Sequence, residues 1–119
     1  MVGFRDVKVW SKAHEMTLAL YRVTRSFPNE ELYGLTAQIR RAAVSIGANI
    51  AEGCGRRTRP DFARFLQIAL GSASELEYHL VLAADLGFLG RAAHDQFAER
   101  VIEVKRMLFG FIRKLRSDV

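Results

Sequence analysis

Residues 38–62 constrain the fold of this chain more than any other stretch, because one apolar helix ends there and another begins. The segment reads QIRRAAVSIGANIAEGCGRRTRPDF. Apolar side chains at positions 39, 42 or 43, 46 and 50 are three or four residues apart, which places them on one helical face. The small residues Ala43, Gly47 and Ala51 form a row four residues apart, where another helix can approach closely. The simplest interpretation is tight packing inside a helical bundle.

The rest of the chain repeats this helical spacing, and proline or glycine marks each break. The spacing predicts a first helix from Val9 or Trp10 to Phe27 and a second from between Asn29 and Leu35 to about Gly53. A third is predicted from about Pro60 to Leu86, and a fourth from about Arg91. Gly53 and Gly55 are predicted to adopt the left-handed conformation that often ends a helix.

Two of the predicted buried faces are particularly regular. The first helix is expected to bury Trp10, Ala13, Thr17, Leu20, Thr24 and Phe27, and the fourth helix Phe97, Val101, Val104, Leu108, Phe111 and Leu115. The second set follows heptad spacing, which favours shallow helix crossing angles. No segment alternates with the period of a strand. Because short connections make successive helices antiparallel, the predicted fold is all-α, an up-down-up-down four-helix bundle in one domain over residues 1–119.

The charge balance favours anionic partners. The chain has 18 Lys and Arg residues against 13 Asp and Glu residues, a net charge of +5. It has no apolar run of the roughly 20 residues that a membrane span needs. The N-terminus lacks the apolar core of a signal peptide, and the single Cys54 can form no internal disulfide. A cytoplasmic protein without membrane contact is therefore expected.

The bundle topology predicts where the positive charges gather. The start of the first helix, the loop between the second and third, and the end of the fourth share one end of an up-down-up-down bundle. We call the cations there the basic end: Arg5, Lys8, Lys12, Arg56, Arg57, Arg59, Arg64, Arg113, Lys114 and Arg116. The acids expected nearby are Asp6, Glu52, Asp61 and Asp118. Such segregation is typical of phosphate binding, although a solvated basic surface is the plainer alternative.

The third and fourth helices carry more apolar residues than one bundle core can cover. Those expected on the outer faces, and predicted to contact other copies of the chain, are Ile68, Ser72, Leu82, Leu86, Ile102 and Phe109. A helix that is apolar on two sides in a small bundle predicts a neighbouring subunit. We therefore expect a closed homo-oligomer.

The residues that would support catalysis or metal binding do not form a recognisable pattern. His14, His79 and His94 lack metal-ligand spacing, and Leu18 stands where a zinc-protease motif starting at His14 needs its second histidine. Cys54 has no base near it in sequence, and no phosphate-binding G-x-x-x-x-G-K motif is present. The sequence predicts no enzyme, no metal and no cofactor.

Four stretches of the chain resemble a known protein family. They are VWSKA, FPNEELYGLTAQIRRAAVSIGANIAEG, FARFLQIALGSASELEYHL and ADLGFL. The chain resembles the four-helix-bundle family encoded in intervening sequences of bacterial large-subunit ribosomal RNA genes. More distantly, it resembles the accessory variability determinant of diversity-generating retroelements, which assists a reverse transcriptase. The resemblance implies a four-helix bundle and a ring-like homopentamer, and it implies no established activity.

Two hypotheses of function follow from these residues. The first is a non-catalytic oligomer that binds nucleic acid, RNA in particular, through the basic end. The alternative is an interaction scaffold whose basic surface binds an acidic or nucleic-acid-bound protein such as a reverse transcriptase. An enzyme acting on a small molecule is the least favoured interpretation, because the sequence shows no recognisable set of catalytic residues.

Overall fold

The structure, a computed structural model, describes residues 3–117 and confirms the all-α four-helix bundle. Its helices are α1 (Lys8–Val23), α2 (Leu35–Cys54), α3 (Arg59–Asp85) and α4 (Arg91–Ser117). Short 3-10 turns cover Phe4–Asp6, Thr24–Ser26 and Asn29–Glu31, and no strand occurs within the described residues. The bundle measures 47 × 22 × 19 Å along its principal axes.

Contacts between the helices show that each runs antiparallel to the next. The Thr17 hydroxyl on α1 donates to the Ala43 carbonyl oxygen of α2 at 3.3 Å, which places a side chain against the small-residue row predicted from the sequence. The hydroxyls of Ser45 on α2 and Ser72 on α3 share a hydrogen bond of 2.8 Å. Between α3 and α4, the Lys105 ammonium donates to Glu77 at 2.9 Å, and α1 closes the bundle against α4.

The core consists of aliphatic side chains contributed by all four helices. The largest fully buried ones are Met16, Leu20, Ile39, Ile46, Ile50, Leu66, Leu76, Leu80, Val101, Val104 and Leu108. Small side chains on α3, among them Ala69 and Ala73, are fully buried in the same core. The predicted core of α2 is buried throughout, because its apolar spacing matches the period of the helix.

The first helix ends earlier than the sequence predicted. Helix α1 stops at Val23, five residues before Pro28, and the chain continues through a 3-10 turn. The buried Thr24 hydroxyl donates to the Leu20 carbonyl at 2.7 Å, and the Arg40 guanidinium donates to the Tyr21 carbonyl at 3.3 Å. The Thr24 hydroxyl also lies 3.3 Å from the Tyr21 carbonyl oxygen, so two side chains satisfy a carbonyl that a longer helix would use. The α-helix therefore ends before the proline requires it.

At two positions on α1 and one on α4, the buried residue is the neighbour in sequence of the residue that was predicted to be buried. Val9 and Met16 are buried in α1, whereas Trp10 and Thr17 are half-buried toward α2. In α4, Ile112 takes the buried position that the heptad spacing assigned to Phe111. The Phe111 ring instead packs edge-on against Phe62 of α3 at a centroid distance of 5.1 Å.

The predicted left-handed conformation of Gly53 and Gly55 was wrong. Gly53 lies inside α2, Gly55 has a right-handed φ of −87°, and only Gly87 among the described residues has a positive φ, of 82°. Gly53 is buried where α2 and α3 meet, and a Cβ atom there would lie 2.8 Å from the Phe62 ring. Close packing against α3, and not turn geometry, is therefore what requires glycine at position 53.

Candidate nucleic-acid interface

The loop between α2 and α3 presents its arginines in a tight turn. Only residues 55–58 separate the two helices, and the Thr58 hydroxyl caps α3 by accepting a hydrogen bond of 3.2 Å from the Asp61 backbone N–H. Pro60 stands in the first turn of α3, where its missing N–H costs nothing. This turn forms one side of an open depression of about 610 Å³ lined by Gly55, Arg56, Arg57, Thr58, Pro60, Asp61 and Arg64.

Arg56 and Arg64 are held by carboxylates within this depression. Arg56 pairs with Glu52 at 2.6 Å and lies 3.8 Å from Asp61, while Arg64 pairs with Asp61 at 2.9 Å. Both guanidinium groups also lie over the Phe65 ring, at 4.4 and 4.5 Å from its centroid. The two arginines and two acids neutralise one another, so this cluster orders the loop but adds little net charge.

Arg59 joins the start of α3 to the end of α4. Its Nε donates to the Leu115 carbonyl oxygen at 3.2 Å and its Nη2 to the Lys114 carbonyl oxygen at 3.3 Å. These carbonyls belong to the last turn of α4, at the negative end of the helix dipole. The contact brings the exposed side chains of Arg113, Lys114 and Arg116 beside the loop arginines.

The start of α1 contributes unequally to the basic end. Arg5 lies over the Phe4 ring at 5.7 Å, and the Phe4 ring packs against Trp10. Lys12 lies further from the end of the bundle, because α1 runs away from it, and pairs with Glu103 of α4 at 3.5 Å. The structure thus places Lys12 on the side of the bundle, where its charge is partly neutralised.

Five cations of the basic end make no side-chain hydrogen bond, ion pair or aromatic-ring contact with any other residue in the range 3–117. They are Lys8, Arg57, Arg113, Lys114 and Arg116, and all five are exposed. Of the acids expected near them, Asp118 lies outside the described residues. Because no carboxylate offsets the charge of these cations, their attraction for an external anion is not reduced.

The residues predicted to contact other copies lie in different environments. Ile68, Leu86, Ile102 and Phe109 are exposed, whereas Ser72 bonds to Ser45 and Leu82 packs partly against the core. Two further exposed side chains were not predicted from the sequence, Tyr33 at 91% exposure and Val44 at 46%. The exposure of Val44 could have been predicted from the sequence, because position 44 lies outside the predicted core face of the second helix.

The remaining reactive side chains are dispersed over the structure. His79 is buried and its Nε2 lies 3.0 Å from Glu75, while His94 lies beside Asp95. Burial raises the pKa of the Cys54 thiol, which disfavours the thiolate form that a nucleophile needs. Within residues 3–117, no three His, Cys, Asp or Glu side chains are grouped so that they could hold a metal ion. No described helix is both long and apolar enough to cross a membrane.

Fold and site together define an antiparallel all-α four-helix bundle with unpaired cations near one end. Within that class, the chain belongs to the 23S rRNA-intervening sequence protein family, whose family model matches residues 5–110. This finding confirms the resemblance seen in the sequence.

One solved structure agrees with the assignment. It is that of a protein of unknown function from the S23 ribosomal protein family of Bacteroides thetaiotaomicron. The two chains are 30% identical, the match covers 88% of this chain and 95% of that one, and the TM-score is 0.82. No curated protein matches the chain.

Proposed function

We propose that this protein is a non-catalytic, self-associating helical bundle that binds nucleic acid, RNA in particular, by contacting phosphates with its basic end. The observation that carries the proposal is the set of five exposed cations, Lys8, Arg57, Arg113, Lys114 and Arg116, without a partner in residues 3–117. The net charge of +5 and the relation of the family to ribosomal RNA support it.

The mode of binding follows from which side chains surround these cations. Phe4 and Phe65 are already covered by Arg5, Arg56 and Arg64, so they are not free platforms for stacking bases. Charged contacts to phosphates carry no sequence information of their own. Selectivity for one RNA must therefore come from its shape or from a second protein.

The salt dependence of binding tests this proposal. If about five phosphates are contacted, the logarithm of the affinity should fall with a slope of about −4.5 against the logarithm of the salt concentration. Raising the salt from about 50 to 200 mM should then weaken binding roughly a hundred- to a thousandfold. Fluorescence anisotropy with a labelled RNA hairpin, and with a DNA duplex of equal length, measures this and compares the two nucleic acids. Undetectable binding at the low salt, or an affinity unaffected by salt, contradicts the proposal.

A second candidate function is the binding of an acidic protein by the same surface. Arg56 and Arg64 already bind the carboxylates of Glu52 and Asp61, so the guanidinium groups of this surface are able to bind the carboxylates of a partner. A pull-down from a nuclease-treated lysate separates the two functions. A partner that survives the nuclease favours the protein scaffold, and one that disappears with the nucleic acid favours the first function.

Self-association is the other part of the proposal. A lone bundle leaves Leu86, Ile102 and Phe109 exposed, together with Tyr33 and Val44 on other sides of the molecule. Covering such side chains is worth roughly 25 cal/mol for each Å² removed from water. A closed ring, a pentamer as the resemblance implies, would also gather several basic ends on one rim and strengthen phosphate binding.

Light scattering coupled to size-exclusion chromatography measures this assembly. We expect a single species at micromolar concentration whose mass is a whole multiple, greater than one, of the 13.4 kDa of one chain. A monodisperse species of the mass of one chain would refute self-association and leave phosphate binding to be judged separately by the salt experiment.

A further inference from the structure

Three rings pack in a row where α1 begins. The Phe4 ring packs edge-on against the Trp10 ring at a centroid distance of 4.9 Å. The Trp10 ring in turn lies flat against the His14 ring, with the centroids 4.7 Å apart and an angle of 10° between the planes. Phe4 and Trp10 are half-buried and pack against the core, whereas His14 is exposed. The row therefore starts at the core and ends with a flat ring at the surface.

The Trp10 ring is held in place from two sides. Phe4 packs against it on one side, and α2 lies on another, where a Cβ atom on Gly47 would be 3.6 Å from the Trp10 Nε1 atom. The His14 ring lies flat on this fixed indole, so its orientation is set before any ligand binds. A group that is already ordered loses less conformational entropy when it binds a ligand.

His14 is only partly used by the bundle. Because Trp10 covers one face of the His14 ring, the exposed area of the ring lies on its other face and along its edges. Within residues 3–117, His14 makes no hydrogen bond or ion pair, and Trp10 is the only aromatic ring that it contacts. Histidine is also a weaker helix former than alanine or leucine. Neither core packing nor helix propensity therefore explains a histidine at this exposed position of α1.

The row of rings adjoins the basic end. The Arg5 guanidinium lies over the Phe4 ring at 5.7 Å, and the unpaired Lys8 begins α1. At 1.5 Å per residue, His14 lies about 9 Å along α1 from Lys8. The Trp10 indole N–H makes no hydrogen bond within residues 3–117, so it is a donor for a phosphate or ribose oxygen. A ligand that fits these groups is anionic and also carries a flat ring.

A nucleotide with an unpaired base has this chemistry. Proteins that recognise single-stranded RNA stack its bases on aromatic or histidine rings and hold its backbone with cations. A base inside an A-form duplex is stacked between its own neighbours, whereas the bases of loops, bulges and ends can be splayed out onto a protein ring. Every base has a flat face, so such a ring selects an unpaired nucleotide without selecting a sequence.

We infer that an unpaired base of the bound RNA stacks on the exposed face of His14, beside the phosphates that the basic end contacts. The inference rests on the proposed RNA binding and names the class of RNA that is bound, a duplex that carries unpaired nucleotides. It also supplies a source of selectivity for RNA shape, which the cations alone do not provide.

A double-mutant cycle between His14 and the bases of a hairpin loop tests the inference. The unmodified protein and His14→Ala are each titrated with an RNA hairpin and with the same hairpin whose loop nucleotides are abasic. The two hairpins carry the same phosphates, so their contacts with the basic end are equal. We expect His14→Ala or the abasic loop to weaken binding roughly five- to a hundredfold. The two changes together should weaken binding no more than either alone, because both remove the same contact.

Two further variants separate stacking from other roles of the ring. His14→Phe keeps a flat ring and should bind both hairpins as the unmodified protein does, with the same salt slope, since stacking releases no counterions. Tyr33→Ala removes a ring that is 91% exposed at the opposite end of the bundle, and it should change neither affinity. If His14→Phe binds as weakly as His14→Ala and lowers the salt slope by about 0.9, the histidine acts as a cation, which contradicts stacking.

The remaining outcomes separate this inference from the proposed function. Losses that add in the cycle contradict the inference. If the unmodified protein binds both hairpins equally well with the expected salt slope, stacking on His14 is refuted and phosphate binding stands. Undetectable binding of both hairpins refutes the two together. Circular dichroism verifies the helix content of each variant. If His14→Ala lost helix content, the comparison of the two hairpins on the unmodified protein and on His14→Phe would still decide the question.

Discussion

Replacing Arg57, Arg113 and Arg116 together by alanine is expected to weaken RNA binding by roughly a hundredfold or more at about 50 mM salt. Removing one phosphate-binding cation should lower the salt slope by about 0.9, so the slope of the triple variant should be smaller by about 2.7. The three side chains are exposed and make no hydrogen bond or ion pair within residues 3–117, so their removal should leave the bundle and its assembly unchanged. Anisotropy titrations at several salt concentrations measure both quantities.

A triple variant at the opposite end of the bundle provides the matched control. Arg22, Arg25 and Arg91 are also exposed, and replacing them changes the net charge by the same amount, from +5 to +2. If phosphates bind at the basic end, the affinity of the control should fall far less than that of the first variant. Equal decreases in the two variants would mean that binding reflects net charge alone, which contradicts a localised site.

Arg56 and Arg64 are expected to matter less than Arg57 for the same measurement. Each is paired with a carboxylate and lies against the Phe65 ring, so binding a phosphate would require breaking a contact already made. Sequence spacing does not distinguish the three arginines, because it identifies charges but not their partners. The pairing through Glu52 and Asp61 depends on the tight turn at residues 55–58, which sequence predicts only approximately.

Most of the fold was predictable because its determinants are local or periodic. The apolar spacing of α2 identifies its buried face directly, and Pro60 with Thr58 marks the start of α3 within a residue. The predictions failed where a tertiary contact overrides the local signal. The early end of α1 depends on Arg40, which is sixteen residues away from Thr24 in sequence.

The candidate site was predictable only as a region. Short loops place the helix ends together, so the sequence could assign the cations to one end. It could not show that Arg59 caps α4 through the carbonyls of Lys114 and Leu115, because that contact joins residues more than fifty positions apart. A groove of about 620 Å³ between α1 and α2, lined in part by Tyr21, Leu32 and Val44, was missed for a similar reason, since its lining comes from two helices and the turn between them.

Helix packing at Gly53 gives the prediction with the largest expected effect on stability. A Cβ atom at position 53 would lie 2.8 Å from one ring carbon of Phe62 and 3.2 Å from the Phe65 Cβ atom. Neither contact can relax without moving α3, because the Phe62 ring is packed against Phe111 and the second contact is to an atom next to the backbone. Overpacking of this kind costs about 1–3 kcal/mol, more than the roughly 0.5–1 kcal/mol that alanine gains over glycine in a helix. Gly53→Ala should therefore lower the free energy of unfolding.

Replacing Gly110 by alanine should change the free energy of unfolding in the opposite direction. Gly110 lies in the interior of α4, is exposed, and a Cβ atom there would have no neighbour within 4 Å. Gly110→Ala should therefore raise the free energy of unfolding by about 0.5–1 kcal/mol, through helix propensity alone. Urea unfolding of both variants at one fixed protein concentration measures the two effects, since self-association links stability to concentration. If Gly53→Ala were as stabilising as Gly110→Ala, the contact between α2 and α3 would have to be looser than 2.8 Å implies. The glycine at position 53 would then need a reason other than packing against Phe62.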